Sequence, residues 1–228
     1  MPDVRDGQPG PIPEQWREVD TCAVSDALDQ FGLTGVVAGV IPLAGPARIV
    51  GRAVTVELGP VGKSAPSRHL ATAAIEIAAP GDVIVIAHRG RTDCSGWGGN
   101  LSLAAHLAGL AAVVVDGACR DVAEAAALGF SVFARAATPR TARGRVCEHS
   151  HQQPVIFGDV VVRPGDLVIA DTCGVVIVDQ EHEESIMTAA LGILQREAAM
   201  TAAIRSGIPI STVMGPSYER MIEQSRET

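Results

Sequence analysis

Lysine is almost absent from this chain: of 18 basic residues only Lys63 is a lysine, set in the Gly/Pro/Ser stretch GPVGKSAPS. Imine-forming enzymes need a desolvated lysine with a depressed pKa, so lysine-imine chemistry is not expected. If the protein activates a carbonyl, a metal ion is the better candidate. Aromatic residues are scarce at 3% against 47% hydrophobic. The core must therefore be built from Ala, Val, Ile and Leu, a mix that suits helices packed closely on a sheet. The five cysteines (Cys22, Cys94, Cys119, Cys147, Cys173) are odd in number and lack CxxC spacing. Reduced thiols and a cytoplasmic location are the expectation. No run of residues approaches the length of a membrane span, and MPDVRDGQPGPIP lacks the apolar core of a signal peptide. Positive charge is also short. A net charge of -8 and a pI near 5.2 argue against nucleic acid or an anionic membrane as the main partner. An anionic ligand must be drawn by local arginines and amides.

What is present suits one α/β domain. The 228 residues suffice for a sizeable core, and no linker divides them. Residues 1–20 read as a flexible arm, 21–207 as the domain and 208–228 as a tail that forms a short helix beyond Pro216. Asp20-Thr21 caps a first helix running to about Phe31, with Gly32 as its stop. Val36 to Ile41, Ala53 to Leu58, Val83 to Ala87, Ala112 to Val115 and Val132 to Ala134 read as strands. Ser67 to Ala78 and Asp121 to Leu128 read as helices, and HRGRTDCSGW and TARGRVCEHSHQQP as loops. Val155 to Val162 and Leu167 to Val178 form a hairpin-rich patch. The echo of PGDVIVI at Pro80 in PGDLVIA at Pro164 is explained by Pro-Gly-Asp being a good turn before a strand. Glu183 to Arg205 is a long helix with Met187, Leu191, Leu194 and Ala198 on one face.

The chemistry concentrates in WGGNLSLAAHLAGLAAVVVDGACRD, from Trp97 to Asp121. A glycine turn opens a small-residue helix, whose first amides at Gly98, Gly99, Asn100 and Leu101 are free to bind a carboxylate or phosphate. A buried strand then ends in a loop carrying Arg120 and Asp121, at the strand end where α/β sheets bind ligands. An arginine fork for an anion and a carboxylate for a hard cation thus face an anion-binding turn. The pattern fits a small metal-chelated acid. His149 and His151 fit a polar loop better than a zinc site, and His106 a solvent-facing position. Cys119 and Cys173 read as small packed residues, and Glu124 as a supporter of the helix dipole or of Arg120.

Trp97-Gly98, VVVDGACRD at Val113 to Asp121, Glu124, GFSVFARAATP at Gly129 to Pro139 and Gly144-Arg145 form one pattern with SDAL at Ser25, Arg91-Thr92 and PGDLVIAD at Pro164. It resembles the family that joins 4-hydroxy-4-methyl-2-oxoglutarate aldolases to the regulator of ribonuclease E activity A, over roughly Thr21 to Asp179. The resemblance implies a swivelling β/β/α fold in a single RraA-like domain, assembled as homotrimers or homohexamers with active sites at subunit interfaces. It implies Mg²⁺ or Mn²⁺ held by Asp121, with waters and substrate completing the shell. It also implies that Arg120 contacts the pyruvyl portion while the amides of Gly98 to Leu101 hold its carboxylate. The chain departs from the pattern at Gly99, where the family's aldolases carry Asp or Glu linked to proton delivery. Asp93, six positions earlier, is a carboxylate available to replace it.

The expectation is a divalent-metal-dependent lyase, with Arg120 and Asp121 as catalytic residues. It would release pyruvate from a 4-hydroxy-2-oxo di- or tricarboxylate by retro-aldol cleavage, with oxaloacetate decarboxylation as a side activity. Arg89 and Arg91 are the nearest candidates for a distal carboxylate. Two other classes stay open: a non-catalytic regulator that binds another protein, and a different enolate-forming lyase or isomerase.

Overall fold

A computed structural model describes residues 10–62 and 69–215; Lys63 and the segment beyond Pro216 lie outside the described residues. Residues 10–20, the second half of the expected arm, pack against the domain. A 3-10 turn at Glu14–Arg17 buries Trp16, and Arg48 donates to the carbonyls of Arg17 (2.6 Å) and Val19 (2.9 Å). Helix α1 (Thr21–Gln30) begins as its sequence predicts, with Asp20 Oδ1 accepting from the Ala23 amide at 2.8 Å. Gly32 follows it at φ 65°, a conformation glycine adopts without cost.

The chain continues through β1 (Val36–Val37), β2 (Ile41–Ala44), β3 (Ile49–Pro60), α2 (Thr72–Ile77), β4 (Val83–Ser95) and α3 (Gly99–Leu107). Next come β5 (Ala112–Cys119), α4 (Val122–Leu128) and β6 (Ser131–Ala137). Strands β3, β4, β5 and β6 are parallel neighbours in that order. Parallel strands need crossovers, and right-handed crossovers between successive neighbours put their helices on one face. The burial pattern agrees. Val54, Val56, Ile84, Ile86, Val113 and Val115 pack towards α2, α3 and α4, whereas Ala53, Val83, Val85, Ala112 and Val114 pack on the opposite side. Strand β5 is buried along its whole length, as a central parallel strand covered on both faces should be. Each fully buried valine there contributes on the order of 1.5–3 kcal/mol.

The remaining elements are β7 (Val146–His151), β8 (Val155–Phe157), β9 (Val160–Val162), β10 (Leu167–Asp171), β11 (Gly174–Val178), α5 (Glu183–Arg205) and α6 (Ile210–Val213). The sheet runs β1-β11-β10-β3-β4-β5-β6-β2, with β7 antiparallel to the outer half of β3. The β8–β9 hairpin covers the face away from the crossover helices, which makes the layering β/β/α. Helices α1 and α5 pack on β10 and β11. All three hydrophobic clusters share the one sheet, so the chain is a single α/β domain.

Several boundaries differ from the sequence expectation. Val36 to Ile41 is two short strands, because Gly39 turns at φ 76° between them. The expected loop HRGRTDCSGW is mostly the outer half of β4, paired irregularly with β5 at Arg91↔Gly117 and Ser95↔Ala118. The polar segment at Val146–His151 is a strand, held by backbone pairing to β3 rather than by an apolar face. The buried face of α5 is Ile186, Ala190 and Ile193, with Met187, Leu191 and Leu194 on its rim and Ala198 exposed. Both Pro-Gly-Asp turns close alike: Asp82 Oδ2 accepts from Ala79 N (2.8 Å) and Asp166 Oδ2 from Arg163 N (2.7 Å).

Candidate active site

The crossing from β4 to α3 and the end of β5 lie side by side, tied by two backbone bonds. Gly96 N donates to Ala118 O at 2.8 Å, and Arg120 N donates to Trp97 O at 3.0 Å. Trp97 anchors the turn in the core: it is buried, its indole N–H donates to Ser102 Oγ at 2.8 Å, and it stacks on Phe130 at 6.4 Å. The glycine turn and the Arg-Asp loop are therefore held by the same rigid sheet end.

Asp121 has a left-handed backbone, φ 58° and ψ 36°, at the N-cap position of α4, but its side chain does not cap that helix. Its Oδ2 reaches across to α3 and accepts from Gly99 N (3.0 Å) and from Arg120 Nε (2.9 Å). A left-handed non-glycine residue costs of order 1–3 kcal/mol and persists where surrounding structure demands it, though Asp is among the residues that tolerate it best. The Gly99 amide, with Arg120 adding to it, holds the Asp121 carboxyl below its ordinary value. Its other oxygen, Oδ1, and the terminal amino groups of Arg120 have no partner among the described residues. Gly98 is closely approached by both groups: a Cβ there would lie 3.0 Å from Asp121 Oδ2 and 3.3 Å from Arg120 Cγ.

These groups line a cavity of about 290 Å³ that includes Gly98, Gly99, Asn100, Leu101, Arg120 and Asp121. The structure thus brings together the six residues expected to bind substrate or metal. Asn100 is exposed at the lip and Leu101 is buried in the wall. The first-turn amides of α3 have no carbonyl within their own helix to bond, and Gly99 gives its amide to Asp121. Those of Asn100 and Leu101 remain for a ligand. Side-chain exposures of 38% for Arg120 and 27% for Asp121 leave the corner open to solvent on one side.

Other candidates fall elsewhere. Asp93 is gripped bidentately by Arg91 (2.8 Å to each oxygen), which holds its carboxyl near 2, and it does not line the cavity. Arg89 pairs with Glu57 at 2.7 Å. His149 and His151 go to different partners, Pro60 O (3.1 Å) and Glu148 Oε1 (2.8 Å), and His106 is exposed. Cys119 is buried, and burial pushes its thiol up to about 11. Two residues gain importance. Glu124 lines the cavity, and so does Arg143, whose guanidinium has no partner among the described residues. Arg143 lies 22 positions beyond Asp121 in a polar stretch, and no local pattern distinguished it from its neighbouring arginines.

The site fits a metal of one kind only. Among the described residues no three His, Cys, Asp or Glu side chains converge on a point, so no all-protein cage is available. Asp121 does offer an ionised carboxylate with one free oxygen, which suits a hard cation that keeps several waters and takes its remaining ligands from substrate.

The comparisons with known proteins decide the family. The family model described as RraA-like, Aldolase/RraA, matches residues 21–177. The chain belongs to the RraA-like family. A relative in Halalkalibacterium halodurans, provisionally named 4-hydroxy-4-methyl-2-oxoglutarate aldolase, is 37% identical over 180 residues, covering 76% of this chain and 79% of that one. Protein DlpA of Legionella pneumophila is 29% identical over 194 residues, 85% of this chain but only 32% of that protein. This chain thus spans about a third of DlpA's length. Among solved structures, RraAS2 of Streptomyces coelicolor, described as an unusual member of the RNase ES inhibitor RraA family, superposes with a TM-score of 0.73. It is 27% identical, and the match covers 83% of this chain and 98% of that one. The RraA-like family thus holds proteins named as aldolases and proteins named as inhibitors.

Proposed function

We propose that this protein is a divalent-cation-dependent lyase that releases pyruvate from a 4-hydroxy-2-oxo di- or tricarboxylate by retro-aldol cleavage, with oxaloacetate decarboxylation as a second activity. The observation that carries this reading is the clamp on Asp121. One oxygen is fixed by Gly99 N–H and Arg120 Nε, leaving the other oxygen and the arginine's amino groups at the cavity wall without a partner among the described residues. A carboxylate serving only as a helix cap would bond its own helix, and this one does not.

Asp121 is the residue that would hold Mg²⁺ or Mn²⁺. Such a cation, when bound, supplies Lewis-acid polarisation of the 2-oxo group. The protein's own groups do the rest. The amides of Asn100 and Leu101 bind the C1 carboxylate at the positive end of α3. Arg120 places a guanidinium beside the C2 oxygen, where negative charge develops as the C3–C4 bond breaks. Arg143 is positioned to take a carboxylate at the far end of the substrate. Because the corner is open on one side, we further propose a homotrimer or homohexamer in which a neighbouring subunit closes each site. Relatives' names support the aldolase assignment, and the net charge of -8 matches a small metal-chelated acid better than RNA.

The test is pyruvate release from a panel of 4-hydroxy-2-oxo acids and oxaloacetate by purified protein, with Mg²⁺ and with EDTA. Turnover that EDTA abolishes, and that Asp121→Asn and Arg120→Ala each lower by roughly 30- to 1000-fold, supports the lyase. The family's inhibitor members make a protein-binding regulator the competing reading. Absence of turnover on the whole panel favours that regulator.

A further inference from the structure

The side chain of Glu124 belongs to α4, yet its carboxylate lies against the glycine turn that opens α3. A Cβ built on Gly99 would overlap Glu124 Oε2 and stand 2.9 Å from its Cδ, with Asp121 Cβ at 3.2 Å. Gly99 has no positive φ, so its backbone does not require glycine. What the missing side chain leaves is room for a carboxylate to reach the cavity from the neighbouring helix.

Two acids therefore share the cavity wall with unequal freedom. Asp121 is fixed by an amide and a guanidinium. The Glu124 carboxylate accepts no hydrogen bond and forms no ion pair among the described residues. An anchored carboxylate serves as a fixed charge, whereas an unpartnered one beside it is free to bond a substrate hydroxyl. Environment assigns different roles to paired carboxylates in this way.

We propose that Glu124 accepts the proton of the substrate's C4 hydroxyl during cleavage, and that Gly99 is the gap that lets it do so. This rests on the lyase reading above. As the proton passes to the Glu124 carboxylate, the O–H pair becomes the second bond of the C4 carbonyl. The C3–C4 bond breaks, and its electron pair forms the C2–C3 double bond of the pyruvate enolate. Return of the proton to C3 completes pyruvate, leaving a second carbonyl product and needing no other reactant. Decarboxylation of oxaloacetate also breaks C3–C4 but removes no hydroxyl proton. The two reactions thus separate the role of Glu124 from the rest of the site.

The experiment measures both reactions, and calorimetric binding of pyruvate in the presence of Mg²⁺, for the full chain and for Glu124→Gln, Glu124→Ala and Gly99→Ala. Loss of a general base costs about 10²- to 10⁴-fold, so Glu124→Gln is expected to lower cleavage by at least ~100-fold. Decarboxylation and pyruvate affinity should stay within roughly threefold, which a merely structural role would not allow. Gly99→Ala, which a helical backbone accepts, displaces the Glu124 carboxylate and should lower cleavage more than decarboxylation. Unchanged cleavage in Glu124→Gln would overturn the inference and leave the lyase standing. Equal loss of both reactions and of binding in Glu124→Gln and Glu124→Ala would also overturn it. A parent protein that performs neither reaction would overturn both readings.

Discussion

At the scale of single residues, the site is defined by contacts that leave little space. Gly98 is extended, with φ -158°, so any residue could adopt its backbone. It is Asp121 and Arg120 that a side chain there would crowd, by a few tenths of an ångström. Gly98→Ala should therefore leave the fold intact and push both functional groups out of place. Misplacement by about an ångström costs up to roughly 100-fold in rate, so a shift of a few tenths should lower it by about 2- to 10-fold. Steady-state kinetics beside a thermal melt would check this, with kcat/KM falling while Tm changes little. That Arg120 and Asp121 meet the glycine turn from Gly98 to Leu101 was legible in sequence because they sit in one 25-residue stretch around a single strand, whereas the bond from the Gly99 amide to Asp121 was not. The relation of Glu124 to Gly99 was not. It depends on how α4 folds back beside α3, and no local spacing encodes that approach.

At the scale of elements, legibility followed the strength of local chemistry. Helix α1 was readable from its cap, and α5 from its acidic first turn and the Gly207-Ile208-Pro209 stop. Asp20→Ala removes the bond from Ala23 N to Asp20 Oδ1 and should cost about 1 kcal/mol. Denaturant melts would show a lower midpoint with an unchanged slope. Strand β7 was missed for the opposite reason. Cys147, Glu148, His149, Ser150 and His151 offer no apolar alternation, and their strand conformation comes from backbone bonds to residues about 90 positions away. The rotation of α5's buried face by one residue has a similar origin. Ile186, Ala190 and Ile193 and the neighbouring Met187, Leu191 and Leu194 are both apolar stripes, and only packing against β10, β11 and α1 chooses between them.

At the scale of the whole molecule, one buried group links the site's supporting wall to pH. His88 is buried against Gly96 and Gly117, where its Nε2 donates to Cys94 O at 2.9 Å and its Nδ1 has no partner among the described residues. Burial holds its imidazole below the ordinary 6.5. The unfolded chain takes up a proton near pH 6.5, and the folded chain does so only at lower pH. This contribution is therefore full above pH 6.5 and is lost as pH falls towards the folded value. His88→Gln, which keeps a donor for Cys94 O, should flatten the decline of Tm between pH 7.5 and 5. An identical slope in parent and variant would assign that decline to other groups.

The central claim is that Asp121 and Arg120 together hold a divalent cation and a 2-oxo acid at the end of β5. Calorimetric titration with pyruvate, with and without Mg²⁺, addresses it without relying on turnover. Asp121→Asn is the appropriate control, since asparagine tolerates the left-handed backbone but loses the charge. The expected result is pyruvate binding that requires Mg²⁺ and disappears in Asp121→Asn. Binding of equal strength without the metal, or undiminished in the variant, would contradict the assignment.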